Sequence, residues 1–164
     1  MIRPERVADE DAIRAVETAA FGRDDEARIV DRLRASDAYI PGLSLVAEDG
    51  GAVVGHVIVS RGHAKPGGEP LLWLGPIGVA PERQRQGIGS SLVEAALTGA
   101  TELGDACMVL VGDPAYYSRF GFVRAEPLGL LPPAGWPSQA FQVAVLDPLR
   151  GVPAGRAVYN AAFD

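Results

Sequence analysis

The spacing of apolar residues alternates along the chain between a helical period and a strand-like period, which predicts a protein of mixed helices and strands. The first helical segment covers residues 10 to 21, and its apolar positions are Ile13, Val16 and Ala20. On this pattern we place Arg14 and Glu17 on another face of the helix. A second helix is predicted over residues 24 to 35, and its first turn is acidic, as suits the positive end of a helix dipole.

Strand patterns surround these helices. A short strand is predicted within residues 1 to 7. Residues 43–48 and 52–60 read as two longer strands separated by Asp49-Gly50-Gly51, a tight-turn signal that predicts an antiparallel hairpin. Residues 62–70 are rich in Gly and Pro and are predicted to form a loop.

The stretch from Leu72 to Leu92 passes from an apolar strand through a polar turn into an amphipathic helix. The strand is predicted to end at Val79, and the pair Gly75-Pro76 within it predicts a bulge, because proline cannot donate to a strand ladder. Gly87 and Gly89 lie where the helix begins. Glycine allows close approach of the backbone, and the first amides of a helix lack partners, so this turn is predicted to bind a phosphate group.

Two common nucleotide-binding motifs do not fit this turn. A Walker loop needs a Lys followed by Ser or Thr after its last Gly, whereas Ser90 and Ser91 follow Gly89 directly. A dinucleotide fingerprint needs a third Gly where Leu92 stands. A nucleotide-phosphate binder therefore remains only a minor alternative.

The second half of the chain continues the alternation. A helix to Leu103 precedes a strand at residues 106–111, which we expect to be parallel to the 72–79 strand through a crossover connection. Asp113-Pro114 predicts the start of a short helix. Residues 127–137 read as a loop and residues 141–146 as a strand, and pairing near Val158 is expected within a tail that is otherwise turn.

Composition and charge narrow the possible functions. The chain has 164 residues, so residues 1–164 are predicted to form a single domain. A net charge of −6 disfavours nucleic-acid binding, and no apolar run predicts a signal peptide or membrane association, so a cytoplasmic location is expected. Cys107 lies in an apolar strand and is predicted to be a core residue. Two histidines and one cysteine are too few for a usual zinc site, so we expect no metal.

Three separated motifs carry a family resemblance. The segment from Gln84 to Gly89, QRQGIG, resembles the pyrophosphate loop of the GNAT N-acetyltransferases. The run from Gly112 to Phe122, GDPAYYSRFGF, resembles their second signature region, and the C-terminal VYNAAF adds to a likeness to the YhbS-like subgroup of predicted GNAT acetyltransferases. The resemblance implies an α/β GNAT domain. Its sheet is mixed and mainly antiparallel, with helices on both faces and a splayed central pair of parallel strands.

The same resemblance implies acetyl-CoA as co-substrate and direct transfer to a primary amine of a small molecule or protein. It implies that the cofactor pyrophosphate lies on the amides of Arg85, Gln86, Gly87, Ile88 and Gly89. The pantetheine arm would pair with Ile77, Gly78 and Val79, and an amide near Ile77 or Gly78 would polarise the acetyl carbonyl. Tyr117 stands four residues before Gly121-Phe122, and the resemblance implies that it acts as the general acid.

The general base is left open by the sequence. Residues 71–79 contain no acid, so Glu48, His56, Asp113 or an ordered water remain candidates, although His56 also fits a strand histidine with a satisfied hydrogen bond. The acids at residues 24–26 either cap a helix or attract the amine. A non-catalytic acyl-CoA-binding module is the alternative function, and a homodimer is compatible with either.

Overall fold

The computed structural model describes residues 1–164 and contains four α-helices and nine strands. The helices are α1 (Glu10–Phe21), α2 (Asp25–Arg34), α3 (Ile88–Leu103) and α4 (Pro114–Tyr117). The strands are β1 (Ile2–Pro4), β2 (Tyr39–Asp49), β3 (Ala52–Lys65), β4 (Pro70–Val79), β5 (Cys107–Val111), β6 (Val123–Arg124), β7 (Leu130–Leu131), β8 (Phe141–Val145) and β9 (Gly155–Val158).

Glycines end or connect these elements where the backbone turns left-handed. Gly22 terminates α1 with φ of 70°, and its N–H donates to the Thr18 carbonyl at 2.9 Å. Gly50 and Gly51, with φ of 58° and 82°, form the turn between β2 and β3. Two successive positive φ angles match the twist of an antiparallel pair, which confirms the predicted hairpin.

The sheet is mixed and mainly antiparallel, as expected, with the strand order β1-β2-β3-β4-β5-β8-β6. β4 and β5 form the expected parallel pair, and their ladder holds only two pairs, Leu72 with Met108 and Trp73 with Val109. β4 runs unbroken through Gly75-Pro76 to Val79, so the bulge predicted there does not interrupt the strand, and Gly75 has φ of 128°. No residue of β4 beyond Trp73 pairs with β5, in agreement with the splayed pair that the family resemblance implies.

Two predicted loops contain strand. β3 continues through residues 62–65, where it pairs antiparallel with β9, so the loop shrinks to the residues before β4. The predicted 127–137 loop contains β7, which pairs parallel with β9. Both strands form because the C-terminal segment returns to the sheet, a long-range pairing that local composition does not encode.

The chain divides into two compact units. The first comprises residues 1–60, 74–99 and 161–164, and the second comprises residues 61–73 and 100–160. The core of the first unit includes Ile13, Val30, Leu33, Val46 and Ile58. In the second unit, Trp73 packs against the rings of Trp136, Phe141 and Tyr159.

Several smaller expectations can be compared with these units. Cys107 is fully buried in β5, as predicted. None of the helices is long and apolar enough to cross a membrane. No group of three or more His, Cys, Asp or Glu side chains is arranged to hold a metal ion. Our placement of Glu17 on a separate face of α1 is wrong, because its side chain is fully buried beside Ile13 and Val16.

Candidate active site

The turn before α3 presents a row of backbone N–H groups to solvent. The N–H groups of Arg85, Gly87, Ile88 and Gly89 donate no hydrogen bond within the protein. Arg85 and Gly87 have φ of 62° and 85°, and left-handed residues alternating in a turn bring neighbouring N–H groups onto one concave side. The 16-residue helix α3 adds the positive end of its dipole. This backbone arrangement is suited to an anion such as a phosphate.

Side chains brace this turn from outside. The Gln84 amide donates to the Val79 carbonyl at 3.1 Å, which ties the turn to the end of β4. Arg83 pairs with Asp49 at 2.7 Å and donates to the Gln86 side-chain oxygen at 3.1 Å. Because Arg83 is engaged in this way, Arg85 is the arginine of the turn whose exposed side chain is available to a ligand.

The end of β4 lies in the same unit as this turn. Ile77 and Val79 are half-buried and Gly78 is buried. Because β5 pairs with β4 only as far as Trp73, backbone groups on that edge of residues 77–79 receive no partner from β5. The predicted cofactor-binding residues of β4 and of the turn therefore belong to one compact body.

Tyr117 belongs to the second unit, at the end of α4. The Asp113 carboxylate caps this helix by accepting from the Ala115 N–H at 2.9 Å. The Tyr117 ring packs against Gly112, where a β-carbon would lie 2.5 Å from a ring atom. The Tyr117 hydroxyl makes no hydrogen bond, and burial together with the nearby Tyr116 raises the pKa of Tyr117 to about 12. The phenol therefore stays protonated through the neutral range.

A buried polar network lies in the first unit, and sequence reasoning anticipated only one of its members. His56 on β3 is fully buried, and its two ring nitrogens lie 2.6 Å from Glu17 Oε1 and 2.9 Å from Ser44 Oγ. The Ser44 hydroxyl donates to Glu5 Oε2 at 2.5 Å. Arg34 on α2 pairs with Glu5 at 2.6 Å. His56 thus has satisfied hydrogen bonds, as expected of a strand histidine, but its partners are charged.

The hydrogen-bond directions fix one proton of His56. Because Ser44 gives its only proton to Glu5, its oxygen can only accept from the ring, so His56 Nε2 carries a proton. The remaining proton is shared between His56 Nδ1 and Glu17 Oε1. Burial opposes charge on His56, but the hydrogen bond that the ring donates to the Glu17 carboxylate and the charge of Glu5 outweigh it and raise the pKa of His56.

Glu17 is the member of this network that is not fully satisfied. Burial raises the pKa of Glu17 more than the hydrogen bond to His56 lowers it. Its second carboxylate oxygen, Oε2, is buried and has no hydrogen-bond partner. Oε2 faces β4 at Gly78, where a β-carbon would lie only 2.7 Å away. A sequence signal for this placement existed, because Glu17 follows Ile13 by four positions and so shares its face of the helix.

The other two candidate bases have structural partners. Glu48 accepts from Arg3 at 2.6 Å on the strand next to β1. Asp113 is the cap of α4 described above. The hydrogen-bond partners of these two carboxylates do not belong to β4.

Comparisons with known proteins agree with this geometry. The sequence profile of the acetyltransferase (GNAT) domain matches residues 41–124. The chain is 39% identical to the uncharacterized N-acetyltransferase YhbS of Escherichia coli K12, over all of this chain and 98% of that protein. It is also 37% identical to the uncharacterized N-acetyltransferase YjhQ of the same strain, over 70% of this chain and 65% of that protein.

Solved structures give the same assignment. The crystal structure of Escherichia coli YhbS in complex with CoA has a TM-score of 0.90 and 34% identity, over 99% of this chain and 91% of that chain. A GNAT-family acetyltransferase from Brucella melitensis in complex with acetyl-CoA has a TM-score of 0.84 and 37% identity, over 100% and 97% of the two chains.

Proposed function

The chain belongs to the GNAT acetyltransferase family, and on that premise we propose that it moves the acetyl group of acetyl-CoA to a primary amine. The acceptor is a small molecule or a protein, and transfer is direct, within a ternary complex of enzyme, acetyl-CoA and amine. The two similar structures that contain CoA or acetyl-CoA support the choice of co-substrate.

The observation that carries this proposal is the row of unpaired N–H groups between Arg85 and Gly89. These groups would hold the pyrophosphate, with the Arg85 and Gln86 side chains at its rim. The edge of β4 at Ile77, Gly78 and Val79 that receives no partner from β5 would hold the amides of the pantetheine arm, as a neighbouring strand would.

The residues of this chain would then contribute to two parts of the reaction. Acetyl-CoA supplies an activated thioester. A backbone N–H near Ile77 or Gly78 would polarise the acetyl carbonyl, an arrangement whose removal typically costs about 10²–10³-fold in rate. Tyr117, protonated at neutral pH, would give its proton to the departing thiolate.

Two measurements test the proposal. Calorimetric titration with CoA measures binding, and thiol release from acetyl-CoA measures transfer across a panel of primary amines. Binding with amine-dependent thiol release supports the transferase. Binding without release by any amine supports the alternative of a non-catalytic acyl-CoA-binding module, and absence of binding refutes both.

The match to YhbS over the full chain supports treating residues 1–164 as one acetyltransferase domain. The cytoplasmic location and the homodimer remain predictions. Gel filtration with light scattering checks the second of these.

A further inference from the structure

We propose that Glu17 is the catalytic base that takes the proton from the acceptor amine, and that His56 is the positioning residue that holds it. This inference rests on the proposed function, because it identifies the proton acceptor for that same reaction. It adds to the site a helix-borne carboxylate that none of the motifs contains.

The first support is the incomplete hydrogen bonding of a buried carboxylate. One oxygen of Glu17 is bound to His56 at 2.6 Å, whereas Oε2 has no partner within the protein. Buried polar atoms almost always have partners, and a buried carboxylate oxygen without one is costly. The ammonium group of an acceptor would supply the missing hydrogen bond to Oε2, either directly or through one bridging water.

The second support is the place where Oε2 lies. It faces Gly78, one of the β4 residues proposed to hold the acetyl carbonyl, and the lack of a side chain at Gly78 allows this approach. A carboxylate here would oppose negative charge on the carbonyl oxygen but favour the positive charge that develops on the attacking nitrogen. The electrostatics therefore suit the amine side of the reaction.

The proposed step balances as a proton transfer followed by acyl transfer. The ammonium form of the acceptor gives one proton to the Glu17 carboxylate, directly or through one water, and becomes a neutral amine. The nitrogen lone pair then forms the C–N bond to the acetyl carbon as the C–S bond breaks. The thiolate leaves with the bonding electrons and takes a proton from Tyr117. The acetylated nitrogen, which still carries two protons, releases one to water as the neutral amide forms, and Tyr117 and Glu17 return to their starting protonation states by exchange with solvent.

His56 keeps this carboxylate in place and tunes it. Its ring is fixed on the other side by Ser44, so the carboxylate of Glu17 cannot rotate without breaking the 2.6 Å contact. Burial and the nearby charge of Glu26 on α2 raise the pKa of Glu17, and His56 lowers it. Glu26 is itself paired with Arg23 at 2.6 Å. Removing His56 should therefore raise the pKa of Glu17.

The direct test is Glu17→Gln, which keeps the size of the side chain and the acceptor for His56 but removes the base. With a working amine, we expect kcat/KM to fall about 10²–10⁴-fold, while calorimetry shows CoA affinity within about twofold of the native protein. The decrease of kcat/KM at low pH, which is the acid limb of its pH profile, should disappear. Glu94→Gln, at an exposed position of α3, is the matched control and should behave as the native protein.

A second variant separates catalysis from folding. In His56→Gln the Glu17 carboxylate remains, and we expect the acid limb of kcat/KM to move to higher pH, a shift that a purely structural role does not produce. Independently of activity, ¹⁵N NMR of the ring should show His56 titrating above the ordinary value of about 6.5, with His63→Gln used to assign the two histidines.

The outcomes distinguish this inference from the proposed function. If the native protein turns over an amine and Glu17→Gln retains its rate and acid limb, Glu17 is not the base and the transferase proposal stands. An unmoved acid limb in a folded His56→Gln variant overturns the positioning role. If none of the amines tested causes the native protein to release thiol from acetyl-CoA, the proposed transfer fails and this inference fails with it.

Discussion

Replacing Gly78 with alanine is the sharpest test of how closely α1 packs against β4. The added β-carbon would lie 2.7 Å from Glu17 Oε2 and 3.1 Å from the Ala20 β-carbon, whereas ordinary contacts begin at 3.4 Å. Both neighbours are on α1. Glu17 cannot swing away, because it is fully buried and held by His56.

The expected cost follows from this lack of freedom. Overpacking of a well-packed interior typically costs about 1–3 kcal/mol of unfolding free energy. For a chain of this length each kcal/mol lowers the melting temperature by about 2–4 °C, so Gly78→Ala should lower it by about 2–12 °C.

Thermal unfolding followed by circular dichroism measures this shift, and Gly67→Ala is a matched control. A β-carbon at Gly67 would also meet a glutamate carboxylate, that of Glu69, but this side chain is exposed and free to move aside. The control should melt near the native temperature. In a Glu17→Ala background the cost of Gly78→Ala should shrink, because the closest atom is gone. A native melting temperature for Gly78→Ala would refute the close packing on which the role of Glu17 depends.

Three further predictions concern the proposed site. Gly89→Glu should weaken CoA binding at least about 100-fold by calorimetry, because its carboxylate repels the pyrophosphate, while Gly89→Gln should weaken it much less. Both variants should stay folded, because Glu and Gln are better helix formers than Gly, and the acid also suits the positive end of α3. Tyr117→Phe should lower kcat more than about tenfold with CoA affinity unchanged, and Tyr116→Phe should do much less; equal rates for Tyr117→Phe and the native protein would exclude the acid. Because the folded state raises the pKa of His56, the stability of the native protein relative to His56→Gln should be greatest below about pH 6.5 and decline as pH rises through the folded pKa, which melting curves across pH would measure.

Elements with a local signal were predictable from the sequence. The hairpin turn at Gly50-Gly51, the end of α1 at Gly22 and the cap at Asp113 each depend on one or two residues with a strong conformational preference. The turn before α3 was predictable for the same reason, because Gly87 supplies a left-handed φ within a recognisable motif.

Features that depend on distant residues were not predictable from the sequence. The pairing of His63 with Val158 extends β3 into a segment whose Gly and Pro content predicted a loop. Long-range pairing overrides the local preference of this segment.

Glu17 was misplaced for a different reason. Its position four residues after Ile13 put it on the buried face, but a charged residue is normally assigned to solvent. Only the burial of a partner, His56, makes the opposite placement tolerable, and that partner lies on a strand 39 residues away in sequence. A charged residue at an apolar position of an amphipathic helix is therefore the sequence signal for a buried polar contact.

The buried network is complete at one end and incomplete at the other. At the far end Glu5 accepts from Ser44 and pairs with Arg34, so its carboxylate is satisfied and its pKa lies well below the usual range despite its burial. At the near end Glu17 has one oxygen without a partner. A network that served only to join α1 and α2 to the sheet would gain from satisfying both ends, because an unpartnered buried oxygen lowers stability. Its incomplete end adjoins Gly78, on the strand proposed to hold the thioester, and a purely structural role does not explain this coincidence.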